Sequence, residues 1–160
     1  MTITITKSFS FEMGHFLRDH SGLCKFPHGH SYTLEVTIAG SVHDPLRDFN
    51  GLLDTKVSSE GMVMDFYDLK SWVKPFIDQL DHSFMTGPEG IEFQESNPAA
   101  SGSESLEYMQ SRVRVMPWRP TTENLAKYLF EHIAKTLPND VVLSQIRLYE
   151  TKTGWVTVTP

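Results

Sequence analysis

Residues 28–38 read His-Gly-His-Ser-Tyr-Thr-Leu-Glu-Val-Thr-Ile, and apolar or aromatic side chains alternate with small polar ones along this stretch. Alternation with a period of two is typical of a β-strand that buries one face. The buried set would be the even positions, namely His28, His30, Tyr32, Leu34, Val36 and Ile38. The phase therefore predicts that two imidazoles point the same way as the core side chains.

A second strand with the same kind of pattern precedes the first. Its apolar face would hold the odd positions Ile3, Ile5, Phe9, Phe11, Met13 and His15. If the two strands are antiparallel neighbours, His15 converges with His28 and His30. Three neutral imidazoles that leave a fourth position open are a common way to hold a catalytic Zn(II). The alternative is that the histidines are ordinary core residues with hydrogen-bond partners.

Cys24 stands four residues before His28 in a polar segment that we predict to be a loop. Buried cysteines are usually structural. A metal or the neighbouring Lys25 would instead lower the pKa of this thiol and favour a reactive thiolate. Cys24 is therefore a candidate nucleophile or base.

The composition bounds the class of protein. A chain of 160 residues fits one domain, which we assign to residues 1–160 with a polar insertion around 86–111. The net charge of −6 and the lack of a basic run argue against a nucleic-acid partner. The sequence shows neither a long apolar segment nor a leader, and its single cysteine suits a reducing compartment, so we expect a cytoplasmic protein and no membrane partner.

Two helical segments follow the first two strands. Asp65 is a suitable N-cap for a helix that reaches Leu80, although Pro75 should kink or divide it. The second helix would begin after Thr121 and end before Pro138, with a short strand at 112–115 ahead of it and a possible short helix at 105–109. Strands at 141–150 and 155–159 complete the chain. This order predicts an α+β fold, a four-stranded antiparallel sheet with both long helices on one face.

Two further places in the sequence carry ionisable side chains near the ends of predicted elements. Asp81 and His82 follow the first helix directly, where they are either an acid/base pair or an exposed helix end. Glu150 shares parity with Ile146 and Leu148, so its carboxylate either joins the buried face or emerges into solvent at the strand end. On the buried face it could accept two parallel N–H bonds from a guanidine-like ligand edge.

Together these motifs resemble the family of 6-pyruvoyl- and 6-carboxy-tetrahydropterin synthases. The matching segments occur in the family's order and span most of the chain; they are 11–15, 24–30, 61–66, 80–82, 120–126 and 149–151. The resemblance implies the tunnelling fold, in which strands close into a barrel on oligomerisation and two trimeric rings stack as a hexamer. The open edges of a four-stranded sheet agree with that assembly.

The resemblance also implies roles for individual residues. It implies Zn(II) on His15, His28 and His30, with Cys24 as the catalytic base and Asp81 and His82 completing the proton-transfer set. Glu150 would anchor the pterin, and the residues that would line its pocket are Thr121, Thr122 and Glu123. The active sites would lie between subunits.

The implied substrate is dihydroneopterin triphosphate. Three residues separate Cys24 from His28, and this spacer resembles that of the 6-carboxy branch of the family. The products of that branch are carboxy-tetrahydropterin, acetaldehyde and triphosphate, and its pathway leads to queuosine and other deazapurines. The alternatives are the 6-pyruvoyl reaction, without carbon–carbon cleavage, and a pterin-binding module without turnover. Candidate partners for the triphosphate are Lys25, Arg112, Arg114 and Arg119.

Overall fold

A computed structural model of the chain describes residues 2–42, 61–91 and 110–160. Its strands are β1 (Ile3–His15), β2 (His28–Gly40), β3 (Ser83–Thr86), β4 (Val113–Val115), β5 (Val141–Thr151) and β6 (Gly154–Val158). Its long helices are α1 (Phe66–Leu80) and α2 (Thr122–Thr136). The loop predicted after Gly40 falls mostly on residues 43–60, and the polar insertion and the short helix at 105–109 fall mainly on residues 92–109. Both segments lie outside the described residues.

The centre of the sheet is the antiparallel hairpin of β1 and β2. Its register runs without interruption from Ile3 opposite Gly40 to His15 opposite His28. β5 lies antiparallel beside β2, and β6 lies antiparallel beside β5. These four strands and their pairing agree with the sequence prediction.

The predicted strand number was wrong. Within the described ranges the sheet has six strands in the order β4-β3-β1-β2-β5-β6, and it is open at β4 and β6. β3 and β4 are parallel to β1 and to each other, so the sheet is mixed. β4 matches the short strand predicted at 112–115, which was not counted in the sheet, whereas β3 has only four residues, too few for a period of two to stand out from the sequence.

The first helix is one element with Pro75 inside it, so of the two predicted effects, a kink or a division, the division was wrong. Proline removes one backbone donor, and its partner would have been the carbonyl of Ser71. Both residues are exposed, so water can replace the missing bond. The predicted N-cap is confirmed, because the Asp65 side chain accepts a hydrogen bond from the Tyr67 backbone N–H.

Both helices pack on the same face of the sheet and share one hydrophobic core. This core takes the odd positions of β1, the even positions of β2, and buried residues of α1 and α2 such as Leu69 and Leu129. The opposite face of the central hairpin is polar and largely exposed, with Ser8, Ser10 and Glu12 on β1. Among the described residues no helix combines the length and apolarity needed to cross a membrane.

Leu34 tests this arrangement because it is fully buried on the central strand β2. We expect Leu34→Ala to lower the free energy of unfolding by about 2–5 kcal/mol, since truncation of a buried leucine loses burial and leaves a cavity. Urea denaturation followed by circular dichroism measures the change. The control is Val142→Ala on β5, where the side chain is 62% exposed and we expect a loss below about 0.5 kcal/mol. Equal losses for both variants would contradict the assigned core face.

Candidate metal centre and active site

The end of the β1–β2 hairpin brings three histidines together. His15 and His28 lie directly opposite each other, and His30 lies two residues further along β2 on the same face. The ring centroids are 4.6 Å apart for His15 and His28, 5.3 Å for His15 and His30, and 5.0 Å for His28 and His30. One ligand atom from each ring lies within 4.8 Å of the others, so the three can hold one metal ion. The predicted convergence is confirmed.

Backbone carbonyls orient two of the three rings. His15 donates from Nδ1 to the carbonyl of Pro120 at 2.8 Å, and His28 donates from Nδ1 to the carbonyl of Phe26 at 2.8 Å. Because a carbonyl can only accept, these bonds place the proton on Nδ1 and leave Nε2 as the bare ligand atom. Such bonds to the outer nitrogen are typical of metal-binding histidines.

Two of the three ligand nitrogens have no hydrogen-bond partner in the described part of the chain. The Nε2 atoms of His15 and His30 are buried and have no hydrogen bond to any described residue. A buried unpartnered nitrogen costs free energy that a bound cation would offset. The residues therefore fit a metal, and their chemistry, three imidazoles and no thiolate among the three, fits a catalytic Zn(II) better than a closed structural site.

Burial also keeps His15 in the form that binds metal. Burial is the largest cause that lowers the pKa of His15, and the neighbouring His28 adds to the effect, while the bond to Pro120 acts in the opposite direction. A lowered pKa means that the imidazole stays neutral further into the acid range. Its Nε2 lone pair therefore remains available to a metal at neutral pH.

Glu150 lies beside the histidines on the helix-covered face, which is the first of the two alternatives that its parity left open. Its Oε1 accepts a hydrogen bond of 2.6 Å from the Thr122 hydroxyl and one of 3.4 Å from the Tyr32 hydroxyl. Thr122 begins α2, so the carboxylate also lies near the positive end of a helix. The alternative of a side chain that emerges into solvent does not hold, since only a third of it is exposed.

Tyr32 is the residue that sequence reasoning missed. Its parity with His28 and His30 placed it in the core, but the sequence did not indicate that its hydroxyl contacts Glu150. Burial, followed by the charge of Glu150, raises the pKa of Tyr32 well above its usual value. The phenol therefore stays protonated and acts as a donor to the carboxylate.

One cavity of about 360 Å³ contains most of the remaining predicted residues. It is lined by His15, Cys24, Glu150 and the segment 121–123, together with residues of the β5–β6 hairpin. The loop that carries Cys24 is tied to the end of β1, because the Leu17 N–H donates to the Cys24 carbonyl at 2.7 Å. The thiol, the carboxylate and one metal ligand thus share a single space.

Asp81 and His82 form the predicted pair at a different place. Nδ1 of His82 lies 3.0 Å from Oδ1 of Asp81, and the same oxygen accepts the Glu12 N–H at 2.8 Å. The Glu12 N–H is the main cause that lowers the pKa of Asp81, and His82 adds to it. Neither residue lines the cavity of Cys24. The His82 side chain is 74% exposed.

The basic residues predicted to hold the triphosphate are partly engaged elsewhere. The Arg114 guanidinium donates to the carbonyls of Gln79 and Ser111, and Arg119 donates to the carbonyl of Arg18. Lys25 lies over the Phe26 ring, with its Nζ 5.1 Å from the centroid. Arg114 is therefore a structural residue at the end of α1.

The metal assignment predicts that His28→Ala abolishes binding of one equivalent of Zn(II) per chain, because two imidazoles leave too few ligands for a tight site. Inductively coupled plasma mass spectrometry after dialysis measures the bound metal. The matched control is His132→Ala, because His132 lies on α2 and donates to the Tyr128 carbonyl of its own helix. If His28→Ala retained a full equivalent, the assignment would be wrong.

Comparison with known proteins places this geometry in a family. The family model described as 6-pyruvoyl tetrahydropterin synthase matches residues 4–160. A 6-carboxy-5,6,7,8-tetrahydropterin synthase from Haemophilus influenzae is 33% identical over 153 residues, which cover 94% of each chain.

Solved structures show the same fold. An uncharacterized protein from Wolinella succinogenes superimposes with a TM-score of 0.71 at 23% identity, over 99% of this chain and 98% of that one. The 6-pyruvoyl tetrahydropterin synthase of Caenorhabditis elegans gives a TM-score of 0.65 at 23% identity, over 100% of this chain and 96% of that one. The order of motifs, the mixed sheet with two helices and the family match agree, and the chain belongs to the 6-pyruvoyl tetrahydropterin synthase family.

Proposed function

We propose that this chain is a zinc-dependent 6-carboxy-tetrahydropterin synthase, which converts dihydroneopterin triphosphate into carboxy-tetrahydropterin, acetaldehyde and triphosphate. The observation that carries the proposal is the convergence of His15, His28 and His30 beside a cavity that also holds Cys24 and Glu150. The name of the Haemophilus influenzae relative and the three-residue spacer before His28 favour the 6-carboxy reaction. The product would enter the synthesis of queuosine and other deazapurines in the cytoplasm.

In this proposal, different residues would bind the substrate and transfer its protons. A Zn(II) ion on the three imidazoles would acidify the hydroxyls of the substrate side chain. Cys24, as a thiolate, would take a proton from that side chain, because it lines the same cavity as His15. Glu150 would accept N–H bonds from the guanidine-like edge of the pterin, between the wall formed by Thr121, Thr122 and Glu123 and the β5–β6 hairpin.

Asp81 and His82 would act from a neighbouring subunit. The pair is preorganised, because the Glu12 N–H fixes Asp81, but it does not line the Cys24 cavity of its own chain. The open sheet edges carry large exposed apolar side chains, Val115 on β4 and Trp155 on β6. Pairing of such edges between copies would close the strands into the barrel of the tunnelling fold, as trimers that stack into a hexamer.

The second candidate is the 6-pyruvoyl reaction, which eliminates triphosphate and keeps all the carbon atoms. The description of the matching family model favours it. A pterin-binding module without turnover is the third. A binding module has no need of a thiol and a carboxylate–imidazole pair in addition to the metal ligands.

Incubation with dihydroneopterin triphosphate separates the three candidates. We expect the zinc-loaded protein to release acetaldehyde together with a carboxypterin, both measured by liquid chromatography and mass spectrometry. A pyruvoyl product would support the second candidate, and no turnover would support the binding module.

Cys24→Ala tests the role of the thiol. We expect kcat to fall by about 10²–10⁴-fold, the usual contribution of a general base, while one equivalent of zinc is retained. His28→Ala is the contrasting variant, because it should lose metal and activity together. A Cys24→Ala protein that turned over at the wild-type rate would exclude the thiol as the base.

A mixed oligomer tests whether the site is shared between subunits. Cys24→Ala and His82→Ala are each expected to be inactive, but equal amounts refolded or co-expressed together should recover about a quarter of wild-type activity, because a random mixture leaves about one shared site in four intact. Each variant mixed with itself is the control. If the mixture stayed inactive although mass spectrometry showed mixed oligomers, all the catalytic residues would have to come from one chain.

A further inference from the structure

Two arginines lie together beside the cavity that holds Cys24. Arg18 directly follows Leu17, which lines the cavity, and Arg119 lies two residues before Thr121, which lines it just before α2. The Arg119 guanidinium donates from Nη2 to the carbonyl of Arg18 at 3.1 Å. This bond joins two segments that are 101 positions apart in the sequence, and it puts both arginines at one rim of the cavity.

Backbone hydrogen bonds hold each arginine next to the cavity wall. The Leu17 N–H donates to the Cys24 carbonyl, so the residue before Arg18 is bonded to the loop that carries the thiol. The Arg119 carbonyl accepts the Thr121 N–H at 2.8 Å. Both side chains therefore extend from short, bonded segments whose neighbouring residues line the cavity.

Both guanidinium groups keep donors for a further anion. Arg119 has no carboxylate partner in the described part of the chain, and its bond to Arg18 uses only one of its five N–H donors. Nε of Arg18 lies 3.8 Å from Oε1 of Glu89, and the Arg18 side chain is 58% exposed. An ion pair this long and this exposed to water is weak, so a stronger anion can replace it.

The structure separates these arginines from the other cations that the sequence indicated. Arg114 is bonded to carbonyls at the end of α1, and Arg112 lies just before β4, at the edge of the sheet. Neither they nor their sequence neighbours line the cavity. Arg18 was not indicated by the sequence, because its contact with Arg119 joins two distant segments.

We propose that Arg18 and Arg119 form an anion-binding subsite for the triphosphate group of the substrate, an inference that rests on the proposed function. Guanidinium groups bind phosphate oxygens through paired N–H donors, in a geometry that an ammonium group does not offer. The chain has a net charge of −6, so a local pair of cations is needed to attract a substrate that is itself an anion.

The position of the arginines agrees with the shape of the substrate. Glu150, which would receive the ring edge, contacts His15 from β5. Arg18 follows His15 by three residues, so its backbone lies at most about 10 Å further along the chain. A substrate with its ring at Glu150 and its hydroxyls at the metal on His15 would extend its phosphates toward Arg18 and Arg119.

Binding of inorganic tripolyphosphate to the metal-free protein tests the arginine subsite without turnover. Metal is left out because tripolyphosphate binds metal ions itself. We expect Arg18→Ala and Arg119→Ala each to weaken binding by about tenfold in isothermal titration calorimetry, because each loses a charge-assisted hydrogen bond. The control is Lys74→Ala, which removes the same charge on the outer side of α1, opposite Asp78, and should bind as the wild type does. Wild-type affinity in both arginine variants would overturn the proposal.

A gain of affinity gives a second test, which a misfolded variant could not imitate. Glu89→Gln removes the carboxylate that competes for Arg18, so we expect tripolyphosphate to bind about two- to fivefold more tightly. Glu131→Gln is the matched control, because Glu131 faces Lys127 on the surface of α2. An equal effect of the two substitutions would contradict the role of Arg18.

Steady-state kinetics connect the subsite to the reaction. In Arg119→Ala we expect KM for dihydroneopterin triphosphate to rise by about tenfold with little change in kcat, since the lost contact binds substrate and transition state alike. Inhibition by dihydroneopterin, which has no phosphate, should be unchanged in the same variant, whereas a distorted cavity would weaken it.

The subsite and the proposed function fail separately. A protein that binds tripolyphosphate through Arg18 and Arg119 but releases no product would keep the subsite and lose the enzymatic function. A protein that turns over with an unchanged KM in both arginine variants would keep the function and lose the subsite.

Discussion

The register of the β1–β2 hairpin fixes the positions of the three imidazoles at the candidate site. His15 lies opposite His28, and a shift of one residue would move the imidazoles of one strand to the polar face. The register is held by buried side chains further along the same strands, such as Phe11 stacked on Tyr32 with ring centroids 5.1 Å apart. The candidate metal centre thus lies where the hydrophobic core reaches the end of the hairpin.

The second helix joins this hairpin to the rest of the site. The carbonyl of Pro120, just before α2, orients His15, and the hydroxyl of Thr122, at its first residue, binds Glu150. Burying three imidazoles and a carboxylate together raises the free energy of the folded state unless these groups find partners. A cation between these groups would be such a partner, so the proposed metal would stabilise the folded state as well as serve the reaction.

The spacing of apolar residues along the chain explains which parts of the fold and site could be predicted from the sequence. Alternation placed His15, His28 and His30 on the covered face but left Glu150 open between that face and solvent, and helical spacing with a capping aspartate located α1. A short strand was predicted at the position of β4, but β3 was missed because its four residues carry too little periodicity. The parallel pairing of both strands depends on contacts distant in sequence. The expected division of α1 at Pro75 did not occur, because Pro75 lies on an exposed side of the helix where water can replace the lost backbone bond. The Tyr32 contact with Glu150 spans 118 positions, so no local pattern indicates it.

The decisive measurement is a crystal structure of the zinc-loaded protein with data collected on both sides of the zinc absorption edge. The account predicts a single anomalous peak per chain, about 2.0–2.1 Å from the Nε2 atoms of His15, His28 and His30. A fully loaded crystal with no peak between these rings, or with the peak at another group of side chains, would contradict it.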